Sequence, residues 1–290
     1  MTAHDSLADV VVVDTELFGT PGLHSAFLVD GEEPVLVDAG AAPAAGPVES
    51  ALESQGVGRE DLAGIVATHV HLDHAGAVGA LARRYPNATV YVHERGRQYL
   101  TDPDRLARLV ESAREAMGDA VVDAYGSPEP VQDERTVELV DGDVVPCGDR
   151  DLDVVHAPGH APHQVALHDS RSGALFAADA AGMFLGGDLL PTTPAPDLDL
   201  ETSLATVERL RDLAPDALCY GHFGVRGDAD VALAEYAELL PAWVDAVEAA
   251  LADPELDGRN EVVTALREDW PSPTLERDVQ GVVHANENGR

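Results

Sequence analysis

The stretch Thr68–Gly76, THVHLDHAG, carries more chemical information than any other part of this chain. In it His69, His71, Asp73 and His74 fall within six positions. The apolar run Gly64–Ala67 just before it predicts a short buried strand. The alanine-rich stretch from about Ala75 to Tyr85 predicts a helix after it. The cluster therefore sits on a turn at a strand end, where side chains can converge on one point. Neutral imidazole and carboxylate are the ligands that borderline divalent cations prefer. A lone histidine is commonly a satisfied core or surface residue. Three of them at adjacent and alternate positions beside an aspartate point to a metal.

Working outward, strands are predicted at Val10–Val13, Ala26–Val29, Pro34–Val37 and Thr89–Val92, with a helix from about Pro47 to Gln55. Strands alternating with helices indicate an α/β domain. Residues from about 94 to 124 are charged and helical in period, and read as a helical insertion. Short strands return at Thr136–Val140, Val144–Val145, Leu152–His156, Gln164–His168 and Ala174–Ala177, separated by turn signals such as Asp141-Gly142 and Ser172-Gly173. That spacing reads as a β-meander. Gly186–Leu198, rich in proline and glycine, reads as a long loop. A helix over Leu200–Leu213 with Asp199 as N-cap precedes a strand at Ala217–Tyr220. Asp228–Leu251 reads as a helix that Pro241 breaks or restarts. A further helix is expected over Glu261–Asp269, and a loose end from about Gly281.

Three more strands end in a residue able to bind a cation: Leu152–His156 leads to His160, Ala174–Ala178 to Asp179, and Ala217–Tyr220 to His222. Strand ends in a layered α/β fold can open on one edge, so distant residues can meet there. The candidate ligands are then His69, His71, Asp73, His74, His160, Asp179 and His222. His163, three residues after His160, is a candidate supporting or substrate contact, and His24 precedes a strand that could face the same edge. His93, His156 and His168 read as strand or loop surface, His4 and His284 as inert termini, and Tyr220 as packing.

With these motifs in place, the chain resembles the metallo-β-lactamase-fold superfamily and is most similar to its glyoxalase II-like hydrolases. The resemblance covers roughly residues 10 to 225. It rests on Val37-Asp38-Ala39-Gly40, Thr68–His74, Ala157–His160, Phe176–Asp179 and Tyr220–His222. It implies a four-layer αββα sandwich, with residues 1–225 as the family domain and 226–290 as an added C-terminal helical segment packed on it. By similarity His69, His71 and His160 would bind one metal, and Asp73, His74 and His222 a second. Asp179 would bridge the two, and Asp38 would steady a ligand histidine.

Such a centre implies a hydrolase. Two divalent cations ~3.5–4 Å apart polarise one shared water, and a zinc-bound water ionises near a pKa of about 7. The bridging hydroxide attacks an ester, thioester or related small-molecule bond, with Asp73 orienting it and carrying the proton. No Gly-x-Ser-x-Gly nucleophile elbow occurs. Nitrogen and oxygen ligation suits zinc, with iron or manganese as other occupants. Gly182 stands where quorum-quenching lactonases of this fold carry a tyrosine. No basic residue lies between Arg171 and Arg209, where one would serve to hold glutathione carboxylates. The alternative reading is a mononuclear iron persulfide dioxygenase of similar fold.

Composition bounds the partners. Acidic residues number 53 against 18 basic ones, all arginine, for a formal net charge of −35. Such a surface repels itself without salt screening, and predicts a halophilic protein whose stability rises in molar salt. It disfavours nucleic acid, since phosphate contacts need basic patches. No apolar run is long enough for a membrane span, and Met1–Asp9 has no leader-like pattern. Cys147 and Cys219, 72 positions apart, read as small buried hydrophobes in a reducing interior. A small-molecule substrate and a cytoplasmic location are expected; composition does not indicate the oligomeric state.

Overall fold

Apolar residues on both faces of the strands set the layer order. In the strand Gly64–Ala67, Ile65 and Ala67 face one apolar cluster and Val66 another. In Ala174–Ala178, Phe176 faces that same inner cluster while Leu175 and Ala177 face a third. Strands buried on both faces need helices outside and a second sheet inside. The structure, a computed structural model, describes residues 7–256 and 258–289. His4 and Met1–Ser6 lie outside those residues.

The first sheet has the order β1-β2-β3-β4-β5-β6. Its strands are β1 (Val10–Asp14), β2 (Ser25–Val29), β3 (Val35–Val37), β4 (Gly64–Ala67), β5 (Thr89–His93) and β6 (Thr136–Leu139). Helices α1 (Ala45–Ser54), α2 (Leu72–Ala75) and α3 (Val78–Arg84) accompany it. The helix predicted from about Ala75 to Tyr85 is α3, starting at Val78, while the turn before it, read as non-helical, holds the one-turn α2 that carries Asp73 and His74. The helical insertion is three pieces, α4 (Glu94–Thr101), α5 (Pro103–Met117) and α6 (Asp119–Tyr125). They form the crossover that parallel pairing of β5 with β6 requires. The expected meander is therefore shorter than its sequence suggested, because β6 belongs to the first sheet.

The second sheet runs β14-β13-β10-β9-β8-β7. Its strands are β7 (Val144–Cys147), β8 (Arg150–His156), β9 (Val165–Asp169), β10 (Ala174–Ala178), β13 (Ala217–Tyr220) and β14 (Val225–Arg226). Between β10 and β13 lies a small hairpin, β11 (Met183–Leu185) with β12 (Asp188–Leu190), whose turn and second strand fall in the segment read as a long loop. The turn glycines Gly186 and Gly187 that suggested a loop close this hairpin. Phe27, Val37 and Val66 of the first sheet pack against Leu152, Val154, Leu167 and Phe176 of the second. Both cysteines are free and buried there or beside it.

The outer layer of the second sheet is α7 (Leu200–Asp212), α8 (Ala229–Ala252), α9 (Arg259–Leu266) and α10 (Leu275–Asn288). Trp243, Val247, Val262, Val279 and Val282 share one apolar cluster with Leu175, Ala177 and Leu218 of that sheet. Two expectations fail here. α8 passes through Pro241 without ending. Burial of Leu240 and Trp243 on either side of it offsets the ~3 kcal/mol that an interior proline costs. The stretch from Gly281 to Asn288 is not loose: it is the second half of α10, with Val282 fully buried. Gly281 lies so close to the Thr193 carbonyl that a side chain there would collide with it.

Candidate metal centre

Every predicted ligand follows the C-terminal end of a strand. His69 and His71 lie in the turn after β4, and Asp73 and His74 on α2. His160 follows β8, Asp179 follows β10, and His222 follows β13. Strands β8, β10 and β13 run in one direction, so their ends open on the same edge as β4. Gly221 is required there: a Cβ would stand 2.6 Å from the His74 ring and 3.1 Å from the Asp179 carboxylate.

The structure brings all seven together. His71 Nδ1 lies 3.0 Å from His69 Nε2 and 3.1 Å from His160 Nε2. Asp179 Oδ2 is 3.4 Å from His160 Nε2, and its Oδ1 is 3.3 Å from His74 Nε2. His222 Nε2 is 3.7 Å from Asp73 and 3.8 Å from Asp179. Ligands ~2.0–2.1 Å from a tetrahedral cation stand about 3.3 Å from one another. The observed separations are of that size. His74 Nε2, Asp179 Oδ1 and His222 Nε2 are buried without a hydrogen-bond partner, which is costly unless something else satisfies them. Both observations fit cations, and Asp179 touches both groups of ligands.

The far ring nitrogens are fixed by other partners, as a ligating imidazole requires. The Asp38 carboxylate, 2.9 Å from His74 Nδ1, also accepts from Thr68 N–H and O–H at 2.9 Å. His160 Nδ1 donates to the Thr192 carbonyl at 3.2 Å, and His222 Nδ1 to the Leu23 carbonyl at 2.9 Å. His163 is buried at the cavity wall, its Nδ1 without a partner and its ring 6.4 Å from that of His69.

Charge follows the same layout. Burial, reinforced by neighbouring imidazoles, lowers the pKa of His69 and His71, keeping them neutral and able to ligate. Burial lowers His160 to about 4. Burial opposes ionisation of Asp73, but His74, His222 and Arg277 outweigh it and hold the carboxylate ionised. Asp179 is likewise held ionised against burial by His74, His222 and His160. At His74 burial is outweighed by Asp179 and Asp38, so positive charge is favoured between those two carboxylates.

Three neighbours escaped the sequence reading or were underweighted in it. His24 is fully buried, 3.3 Å from His74 Nδ1 and bonded to Thr15 Oγ1 at 3.0 Å. With His74 and His222 it forms another group of converging ligand atoms. Tyr125 on α6 donates to Asp73 Oδ2 at 3.4 Å, and burial followed by Asp73 raises its pKa, keeping the phenol protonated. Arg277 on α10 lies 4.0 Å from Asp73. Only His24 had a local signal, its place before a strand. His93, read as surface, is buried and stacked on His156 with ring centroids 4.5 Å apart.

Comparison with known proteins agrees with this geometry. A family model described as the Metallo-beta-lactamase superfamily matches residues 19–222. The chain belongs to the metallo-β-lactamase superfamily. Among relatives of this metallo-β-lactamase-fold chain, the fold-containing protein ST1585 of Sulfurisphaera tokodaii is 30% identical over 56% of the chain. That match spans 60% of the relative's own length. The acyl-coenzyme A thioesterase MBLAC2 of Homo sapiens is 31% identical over 78% of this chain and 82% of its own. The solved structure of the metallo-beta-lactamase family protein TTHA1429 from Thermus thermophilus shares the fold. Its TM-score is 0.74 at 23% identity, over 97% of this chain and 94% of that one. No helix among the described residues is long and apolar enough to cross a membrane.

Proposed function

We propose that this chain is a dinuclear metal-dependent hydrolase of small-molecule thioesters. The observation that carries the dinuclear reading is Asp179, whose two oxygens face different groups of imidazoles at 3.3 and 3.4 Å. His69, His71 and His160 would hold one cation, Asp73, His74 and His222 the other, and Asp179 both. Zinc suits this nitrogen and oxygen set. Two bound cations activate water near neutral pH and polarise a carbonyl. The similarity to a thioesterase over most of both chains supports thioester as the bond class.

The chain's own residues supply orientation. Asp73 stays ionised and accepts a hydrogen bond from the attacking water, aiming its lone pair at the acyl carbon. Tyr125, kept protonated, donates to Asp73 and holds that carboxylate in place. Asp38 and the Thr192 carbonyl keep His74 and His160 in one tautomer. Water's oxygen bonds to the acyl carbon, the C–S bond breaks, and the thiolate leaves with a proton that the water has given up. The products are a carboxylic acid and a thiol.

The test is elemental analysis of protein purified in molar KCl, followed by a panel of thioesters, lactones and phosphodiesters. About two zinc ions per chain and thioester turnover are expected. One iron per chain with oxygen uptake and no hydrolysis would replace this reading with the persulfide dioxygenase alternative.

A further inference from the structure

His24 is a fully buried histidine beside the centre with no part in the ligand set assigned above. It lies just before β2, one step beyond the pair formed by Asp14 of β1 and Ser25 of β2. Its carbonyl accepts from Thr15 N–H at 3.1 Å and from Thr15 O–H at 3.3 Å. Its two chain neighbours fasten the loop that carries His222. The Leu23 carbonyl accepts from His222 Nδ1–H at 2.9 Å, Ser25 N–H donates to the Gly221 carbonyl at 2.7 Å, and Gly224 N–H donates to Ser25 Oγ at 2.9 Å.

The partners of the His24 ring fix its tautomer. His74 Nε2 faces Asp179 at 3.3 Å and is the candidate ligating nitrogen, so His74 Nδ1 carries a hydrogen. That N–H has two acceptors in reach, Asp38 Oδ2 at 2.9 Å and His24 Nε2 at 3.3 Å. A hydrogen on His24 Nε2 would collide with it. Nε2 therefore bears the lone pair, and Nδ1–H donates to Thr15 Oγ1 at 3.0 Å. The Thr15 hydroxyl hydrogen is left for the His24 carbonyl, so each donor in this chain of contacts has an acceptor. Among the described residues Nε2 has no hydrogen-bond partner other than the ligand's N–H.

The ring also fixes an angle. His24 stands edge-on to His74, with centroids 4.5 Å apart at 81°, and edge-on to His222, 5.0 Å apart at 82°. His74 and His222 are themselves 5.2 Å apart at 79°. Three rings packed nearly perpendicular to one another restrict rotation of both ligands. Among the described residues His24 makes no ring contact with His69, His71 or His160.

We propose that His24 is a positioning residue for the cation held by Asp73, His74 and His222: its Nε2 lone pair shares the His74 Nδ1 hydrogen with Asp38, and its ring fixes the angle between His74 and His222. Affinity at that site depends on His24, and affinity at the site of His69, His71 and His160 does not. This rests on the dinuclear reading above.

The test is metal binding to the chelator-stripped chain in molar KCl. Zinc competition with a chromophoric chelator gives an association constant for each site, and cobalt(II) titration gives the visible absorption of each. The constant that His222→Ala removes identifies the His74–His222 site. His24→Phe keeps a ring in the space without the lone pair. It should lower that constant about 10–100-fold and the other by less than about twofold, and should shift the cobalt absorption of that site alone. His24→Gln, whose amide oxygen reaches towards the Nε2 position, should restore part of the loss. Thr15→Val removes the hydroxyl that fixes the tautomer while leaving every imidazole in place, and should weaken the same site several-fold. Unchanged constants in His24→Phe, or equal loss at both sites, overturn the proposal. A deficit in His24→Gln as deep as in His24→Phe makes His24 a ligand and overturns the positioning role. If His24→Phe fails to fold, Thr15→Val decides: selective weakening supports the proposal, and unchanged constants overturn it. A single metal site in the wild-type chain overturns the dinuclear reading beneath it instead.

Discussion

Replacing Asp38 with alanine should damage the metal centre without touching any proposed ligand. The carboxylate is buried and accepts from three donors at 2.9 Å: Thr68 N–H, Thr68 O–H and His74 Nδ1–H. An orphaned buried donor costs about 1–3 kcal/mol, so three cost about 3–9 kcal/mol if none recovers a partner. Water entering the space left by the carboxylate would recover part of this, leaving about 2–5 kcal/mol. That is a large share of a typical domain's roughly 5–15 kcal/mol. Loss of the carboxylate also frees the His74 ring to rotate, which should lower metal affinity about 10–100-fold. Chemical denaturation in constant molar KCl measures the first effect, and competition with a chromophoric chelator the second. Asp38→Asn, which keeps an acceptor oxygen, should lose less on both counts. An alanine variant within about 1 kcal/mol of wild type, with unchanged metal affinity, would refute the claim that Asp38 holds His74 in place.

Further outcomes test the remaining assignments. Asp179→Ala should reduce metal content at both positions, by more than the roughly 10–100-fold expected of an outer partner, whereas His222→Ala should mainly lose one ion; two tightly held ions in the latter would break the assigned ligand set. The melting temperature should climb as KCl rises from low to molar concentration, because counterions screen the −35 charge; a flat response would refute the halophilic reading. His93 is lowered to about 4 by burial and by the His156 ring. Its unfolded form takes a proton below about 6.5 while the folded form resists until about 4. Its contribution is therefore intact above that window and lost as pH falls through it. His93→Asn keeps an acceptor for the Arg95 N–H that His93 now caps and should remove that component of the stability profile; identical profiles for the two proteins would contradict the assignment.

The chemistry of the centre was legible along the chain because its donors are local and its spacing is tight. Four of the seven candidates fall in one turn, and each of the other three ends a short apolar run with strand character. The alternation of apolar runs and turn residues also revealed the α/β layering. Errors came where a residue's neighbours lie far away in sequence. Pro241 does not end α8 because burial on both sides outweighs the local penalty. Gly281 suggested a frayed end, yet its missing side chain is what allows α10 to press on Thr193. The strand β6 looked like part of a meander because strand periodicity does not say which sheet a strand joins.

The sequence by itself determined that imidazoles and carboxylates would gather at strand ends, because that pattern is written in contiguous motifs. Only the tertiary structure decided what faces them. His24 arrives from 50 residues before His74, and Arg277 from the far end of the chain. Each is a lone polar residue with no local pattern, placed by the packing of whole elements: β2 into the first sheet, and α10 against Trp243 and Thr193. Backbone periodicity encodes the faces of an element, but the encounter between two elements is set by the summed burial of their surfaces, which no short window contains.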